Sequence, residues 1–346
     1  QEAREKIERQ ALAANLQNGT QMIDIDILIE GAIERKATDI HLRTDDCPRL
    51  RIDTVLKPDE SLPYIAPEIA AERIILKQQN PEILRQRLRE NREIDVAFSS
   101  VSGARVRANI YKCESGLQIA LRIIPAKRLT AEQIGLPFPI ADICRSRSGL
   151  FLITGANGSG KTSTLASMID IINASRNVHI LTIEDPIEYV FKNEKSLVSQ
   201  REIGRDSGSF YEALRMSVRE NPDVVVLGEM RDLETTRTAI ELSETGHLVF
   251  ATLHTRTATS AIDRLIGQFP AGEQQQIRLM IADNLIGVLS QTLLPKRAGG
   301  LIAAFEFLNV PPAVRNLIRE QKVPQIFSII QMGAKQGMCT MEDSIA

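Results

Sequence analysis

The sequence contains no tryptophan and only four tyrosines among 346 residues. Aromatic side chains are the usual stacking platforms for single-stranded nucleic acid, so their scarcity argues against a protein that stacks bases. The formal net charge of −2 gives no overall attraction to nucleic acid or anionic lipid, and binding to either would need a local basic patch. We therefore expect no specific nucleic-acid partner.

Cysteine is also scarce, and the four residues are scattered, at Cys47, Cys113, Cys144 and Cys339. They form no C-x-x-C pair and no histidine stands at metal-ligand spacing, which favours reduced thiols over a zinc site or a disulfide framework. No apolar run approaches the roughly 18 residues that cross a bilayer. The charged segment Gln1–Arg9 does not resemble a signal peptide. We expect a cytoplasmic protein without a transmembrane segment, which reaches a membrane only through partners.

The length suits two domains, each able to bury a core of its own. Residues 1–21 predict a polar helical extension. Residues 22–124 alternate helix-like and strand-like patterns and end in an antiparallel-looking tail, which indicates a compact α+β domain. Residues 125–139 contain three prolines and a glycine, so they predict a linker.

Residues 140–346 predict a second domain of the α/β class, in which a mostly parallel sheet is wound with helices. The strands predicted there are Leu150–Thr154, Val178–Ile183, Val224–Leu227 and His247–Leu253. Residues 274–345 are expected to be largely helical.

Directly after the first of these strands, Gly155–Thr162 reads GANGSGKT and completes a G-x-x-x-x-G-K-[ST] phosphate loop between a strand and a helix. The glycines let backbone N–H groups curl around phosphate oxygens, and a helix N-terminus favours negative charge. We expect Lys161 to reach the β- and γ-phosphates of ATP and the Thr162 hydroxyl to bind Mg²⁺. The predicted nucleotide-binding residues are Gly155, Ala156, Asn157, Gly158, Ser159, Gly160, Lys161, Thr162 and Ser163.

An enzyme that hydrolyses ATP also needs acidic groups to hold Mg²⁺ through water and to activate the attacking water. Glu229 follows the apolar run Val224–Leu227, and Glu184 and Glu188 follow the predicted strand that ends at Ile183. Parallel strands present their ligands at the carboxyl ends, so these three carboxylates are the candidates.

His247 and His254 flank another predicted strand, and without a third ligand they do not indicate a metal site. They are expected either to sense a phosphate by hydrogen bonding or to serve a structural role. An arginine that stabilises charge on the transferred phosphoryl group often comes from another subunit. The candidates in the first domain include Arg107 and Arg122.

Together these motifs resemble the secretion and pilus motor ATPases. Gly155–Thr162 is similar to the Walker A loop of that family, Ile180–Glu188 to its Asp box, Gly228–Asp232 to its Walker B segment, and Thr245–Thr255 to its His box. Val314–Glu320 reads VRNLIRE and resembles a segment associated with the retraction ATPases of type IV pili. The chain lacks the tetracysteine insertion that is usual in extension ATPases.

The resemblance implies a PAS-like N-terminal domain followed by a RecA-like ATPase domain, assembled as a homo-hexamer with ATP between subunits. It also implies that Glu229 is the Walker B acid, that Glu188 positions or activates water with Glu184 as second choice, and that Arg107 and Arg122 act across the subunit interface. By the same resemblance, the ring transmits force to an inner-membrane platform protein and disassembles pilin. Extension, conjugative-pilus and secretion ATPases of the same family remain alternatives, as do a RecA-like nucleic-acid motor and a switch module that does not hydrolyse ATP.

Overall fold

The computed structural model describes residues 25–52, 55–62, 64–124, 128–297 and 300–345. The chain divides into two compact units, residues 1–126 and 127–346. The predicted helical extension, residues 1–21, lies outside the described residues. Most of the predicted linker, residues 125–139, belongs to the second unit, where it includes a short helix.

The first unit contains a six-stranded antiparallel sheet in the order β3-β2-β1-β6-β5-β4. Its strands are β1 (Asp39–Arg43), β2 (Arg49–Ile52), β3 (Val55–Pro58), β4 (Glu93–Ser99), β5 (Arg105–Cys113) and β6 (Gly116–Ile124). Its helices are α1 (Ile25–Glu34), α2 (Pro67–Leu76) and α3 (Pro81–Asn91). In α1 the buried residues are Ile25, Leu28, Ile29 and Ala32, a spacing that places one apolar face of the helix on the core.

The second unit contains a seven-stranded sheet in the order β13-β12-β7-β11-β10-β8-β9. All its neighbouring strands are parallel except the antiparallel pair β12–β13. Its strands are β7 (Gly149–Thr154), β8 (His179–Glu184), β9 (Leu197–Glu202), β10 (Val224–Leu227), β11 (Leu248–Leu253), β12 (Leu285–Pro295) and β13 (Leu301–Asn309).

Helices cover both faces of this sheet. They are α4 (Ala131–Ile134), α5 (Ile140–Arg145), α6 (Lys161–Ser175), α7 (Phe210–Ser217), α8 (Leu233–Glu244), α9 (Ala258–Gly267), α10 (Gln274–Asn284), α11 (Pro312–Arg319), α12 (Ile326–Met332) and α13 (Met341–Ile345). Successive side chains of a strand point to opposite faces. In β7, Leu150 and Leu152 accordingly join one buried cluster, and Phe151 and Ile153 join the other.

The predicted α/β class is confirmed, with an antiparallel α+β unit preceding a mainly parallel sheet. The prediction that residues 274–345 are largely helical is wrong in part, because β12 and β13 form a long hairpin there. Most of β12 is buried, and a short apolar run buried on both sides does not show by its periodicity whether it is strand or helix. Among the described residues, no helix is long and apolar enough to cross a membrane.

Candidate active site

The phosphate loop leaves the sheet at the end of β7 and enters α6 at Lys161. Gly155, Gly158 and Gly160 all have positive φ angles, of 149°, 76° and 87°. At Gly158 an added Cβ would meet no atom within 4 Å, so the backbone conformation itself calls for glycine there. The loop therefore makes its turns where glycine occurs, and it ends at the N-terminus of a 15-residue helix.

Lys161 is buried under this loop. Its Nζ donates to the carbonyl oxygens of Gly155 at 2.8 Å and Ala156 at 2.9 Å, and lies 3.5 Å from Nδ1 of His254. Burial lowers the pKa of Lys161, and the carboxylates of Glu229 and Glu188 act in the opposite direction. The ammonium group is thus held at the loop, where two of the three predicted acids favour its charged form.

The donor set at the loop fits a phosphate chain. Lys161 supplies an ammonium group, and the half-buried Thr162 supplies a hydroxyl at the start of α6. The buried hydroxyl of Ser159 has no hydrogen-bond partner among the described residues, so a donor remains available inside the loop. Within the same part of the chain, no group of three or more His, Cys, Asp and Glu residues could hold a metal ion. In nucleotide sites Mg²⁺ typically combines one or two protein ligands with substrate phosphates, and the Thr162 hydroxyl stands at the end of the loop.

Glu229 lies just beyond the end of β10, and each of its two carboxylate oxygens contacts a nitrogen of another side chain. Its Oε1 lies 2.8 Å from Nε2 of His254, and its other carboxylate oxygen lies 2.8 Å from the guanidinium of Arg231. Burial acts to raise the pKa of Glu229, but Arg231 and His254 outweigh it and the pKa is lowered. Nδ1 of His254 lies 3.5 Å from the Lys161 ammonium and Nε2 lies 2.8 Å from Glu229, so the imidazole stands between the two charged groups. His254 therefore links the loop lysine to the Walker B-like acid.

Glu184 ends β8 and lies in a polar network of neutral groups. Its Oε1 accepts from the Thr182 hydroxyl at 2.6 Å and from the Gln200 amide at 3.2 Å. Burial raises the pKa of Glu184 to about 7, although these hydrogen bonds favour the charged form. Glu184 is therefore poised to exchange a proton near neutral pH.

Glu188 is half-buried in the segment between β8 and β9. Gln200 holds this segment, since its amide donates to the Tyr189 carbonyl at 2.8 Å and accepts from the Phe191 N–H at 2.9 Å. The Tyr189 hydroxyl lies 3.2 Å from Oγ of Ser163 in the first turn of α6. The segment that carries Glu188 is thus tied both to β9 and to the helix that follows the phosphate loop.

The structure does not bring all the predicted residues together. His247 precedes β11 and its Nδ1 contacts the Leu242 carbonyl at 3.0 Å, whereas His254 follows the same strand. Seven residues of extended chain separate them by about 23 Å. Within this chain His247 thus lies at the end of β11 away from the phosphate loop, and a role for it in sensing phosphate stays a prediction.

Arg107 and Arg122 lie on neighbouring strands of the first unit, directly paired in register. Arg122 forms an ion pair with Asp39 at 3.0 Å, and Arg107 lies 3.6 Å from Asp95. Their role across a subunit interface stays a prediction.

Two buried or half-buried amides at the site were missed from the sequence, Gln200 on β9 and Gln291 on β12. Neither belongs to a motif with a spacing rule, and β12 was not recognised as a strand. In the register of β8 and β9, Gln200 pairs with Thr182, which lies two residues before Glu184 and on the same face of the strand.

Comparison with known proteins agrees with this geometry. The chain is 42% identical over 320 residues to the type IV pilus retractation ATPase PilT of Pseudomonas aeruginosa, covering 92% of each chain. It is 44% identical over 282 residues to a twitching motility protein of Neisseria gonorrhoeae, covering 81% of this chain and 75% of that protein. The crystal structure of the pilus retraction motor PilT with bound ADP aligns with a TM-score of 0.83 and 45% identity, over 93% of this chain and 96% of the other.

Residues 15–325 match the family model described as Type II/IV secretion system protein. This match spans most of both units, so it includes the phosphate loop, the segment of Glu184 and Glu188, and the Glu229–His254 pair. The chain belongs to the Type II/IV secretion system protein family.

Proposed function

We propose that this protein is an ATP-hydrolysing motor that powers the retraction of type IV pili. The observation that carries the proposal is the link from the phosphate loop through Lys161 and His254 to Glu229 at the carboxyl edge of one sheet. The relatives support it, because two are named a pilus retractation ATPase and a twitching motility protein, and the similar crystal structure contains ADP.

The loop residues 155–163 bind the phosphates of ATP through their backbone N–H groups, the Lys161 ammonium and the Ser159 hydroxyl. Thr162 would hold Mg²⁺ by its hydroxyl, and Glu229 would hold it through water. When bound, Mg²⁺ neutralises charge on the β- and γ-phosphate oxygens. The Arg231 and His254 contacts keep Glu229 ionised, which suits a carboxylate whose task is to hold a cation.

Glu188 is our choice for orienting and deprotonating the attacking water. Its carboxylate acts electrostatically on the Lys161 ammonium, whereas one oxygen of Glu184 already accepts from Thr182 and Gln200. Glu184 is the second choice, since a base works best when its pKa lies near the working pH. The arginines that stabilise developing charge are Arg107 and Arg122 of a neighbouring subunit.

The working assembly is a homo-hexamer at the cytoplasmic face of the inner membrane, which transmits domain rotation to a platform protein. Family resemblance supports this part of the proposal. The distribution of residues also fits it, since one unit carries the phosphate loop and the acids and the other unit carries the candidate arginines. In such a ring, ATP hydrolysis on one subunit is coupled to the arginines of the next subunit, and this coupling generates the force.

The first test is Mg²⁺-dependent ATP turnover by the full-length protein, with the oligomeric mass recorded on the same samples. Lys161→Ala and Glu229→Gln are each expected to lower turnover at least ~10²-fold, in the range of lost electrostatic or acid–base catalysis. Exposed neighbours of the same types, Lys192→Ala and Glu194→Gln, serve as matched controls and are expected to retain turnover.

Absence of turnover in a well-formed, ATP-bound hexamer would favour a switch module instead. Turnover that rises several-fold with added DNA would favour a nucleic-acid motor. Direction of force is tested in cells, where Glu229→Gln is expected to leave pili assembled but abolish twitching. Loss of the pili themselves would assign the protein to extension.

A further inference from the structure

Gln291 places a buried amide against the phosphate loop from a strand far away in sequence. β12 runs parallel to β7, and Ser290 pairs in register with Thr154, the last residue of β7. β12 continues beyond that point, so Gln291 is its first residue past the end of β7. This is the level at which the loop leaves the sheet.

Both ends of the Gln291 amide are hydrogen-bonded at this position, and the side chain is only 4% exposed. Its Nε2 donates to the Ser159 carbonyl at 2.7 Å, inside the loop. Its Oε1 accepts from the Thr164 hydroxyl at 2.6 Å, in the first turn of α6. One side chain therefore joins the loop to the helix N-terminus that follows it.

Two loop glycines face the same residue. A Cβ added at Gly155 would lie 2.4 Å from the backbone carbonyl oxygen of Gln291, and a Cβ added at Gly160 would lie 2.7 Å from the side-chain Nε2 of Gln291. Real Cβ atoms do not approach a backbone oxygen this closely, so the first residue of the loop must be glycine, and at the sixth the positive φ of 87° favours glycine while a Cβ would displace the Gln291 amide. The loop's shape is thus set in part by β12.

We infer that Gln291 is a positioning residue for nucleotide binding, which fixes the glycine-rich loop in the shape that receives phosphate. Three glycines give the loop many alternative conformations, and each must be excluded before its N–H groups converge on one ligand. A brace that excludes them beforehand removes an ordering cost from binding. The inference rests on the proposed function only in requiring that the loop bind a nucleotide.

The test measures the dissociation constant of a fluorescent ADP analogue with Mg²⁺, together with the Tm of the nucleotide-free protein. Gln291→Leu removes both hydrogen bonds at similar volume and is expected to weaken binding at least about tenfold, which equals 1.4 kcal/mol. The KM for ATP is expected to rise by a similar factor, while kcat at saturating ATP changes less.

Asn173 offers a matched control in α6, the helix that carries Thr164. It is buried, donates from Nδ2 to the Lys192 carbonyl at 2.8 Å and accepts at Oδ1 from the Glu194 N–H at 3.0 Å. It lies about 18 Å along α6 from Lys161. Asn173→Leu should therefore lower the Tm as Gln291→Leu does, but leave the dissociation constant within about twofold of wild type.

A second variant, Gln291→Glu, keeps the shape and the acceptor for Thr164 but loses the donor to Ser159, and it should also weaken nucleotide binding. It keeps the test decisive if the leucine variant does not fold. Wild-type affinity in both Gln291 variants would overturn the inference and leave Gln291 as an ordinary core amide. A wild-type protein that bound no nucleotide would instead overturn the proposed function.

Discussion

Glu184 provides a pH-dependent prediction with a magnitude. Burial raises the pKa of its carboxyl group from 4.5 to about 7. The folded protein therefore binds this proton more tightly than the unfolded chain, and the resulting stability is present below about pH 4.5 and lost as pH rises through about 7. At 1.36 kcal/mol for each pKa unit, the full effect is about 3 kcal/mol in the free energy of unfolding.

Glu184→Gln removes this titration while preserving the shape of the side chain. The amide carbonyl can still accept from Thr182 and Gln200, which both bond to the same oxygen of Glu184. Relative to wild type, the variant is expected to gain up to about 3 kcal/mol between pH 5 and pH 8. For a unit of this size that is about 6–12 °C in Tm.

The assay is thermal unfolding of both proteins across this pH range, followed through the transition of the second unit. Glu194→Gln is the matched control, because Glu194 is exposed in the neighbouring segment and an exposed carboxylate has little desolvation to relieve. A difference in Tm between Glu184→Gln and wild type that is the same at pH 5 and pH 8 would refute the reasoning.

Three further predictions follow from single contacts. His254→Asn should lower ATP turnover at least ~10-fold because it breaks the link from Lys161 to Glu229, whereas His247→Asn should keep wild-type turnover in the same assay. Gln200→Leu should lower kcat more than it raises the KM for ATP, because it releases the segment that carries Glu188, and equal effects on both would contradict this. Phe250→Ala should cost about 3–5 kcal/mol in urea unfolding, since Phe250 is fully buried against the edge of Phe151, and a loss below 1 kcal/mol would argue against that packing.

The parallel sheet and the edge that carries the site could be predicted from the sequence, because both follow from local patterns. The apolar runs that became β7, β8, β10 and β11 are short, fully or largely buried and each followed by a polar segment. Parallel strands align their carboxyl ends, so the residues after these runs had to meet. Glu229 and His254 meet in this way, at 2.8 Å.

The same rule separates the two histidines. A strand has two ends, and only residues at its carboxyl end reach the phosphate loop. The two histidines looked alike in the sequence because each adjoins the same apolar run. Chain direction alone distinguishes them, and it assigns His254 to the site and His247 to the opposite edge.

Gln291 could not be predicted because its partners are more than 120 residues away in sequence. No local periodicity signals a side chain that acts through a neighbouring strand, and the strand itself was read as helix. The position of Gln291 beside the phosphate loop follows from strand register, which only the folded chain provides.

The three carboxylates at this sheet edge have different environments, on which their proposed roles rest. Glu229 has cationic or donor partners at both oxygens, which lower its pKa and suit it to holding a cation. Glu184 lies in a desolvated site, which raises its pKa to about 7 although hydrogen bonds from Thr182 and Gln200 favour the charged form. Glu188 acts electrostatically on the Lys161 ammonium from a segment that Gln200 and Tyr189 anchor on two sides. The roles that we propose for the three residues therefore rest on their different environments and not on the shared chemistry of glutamate.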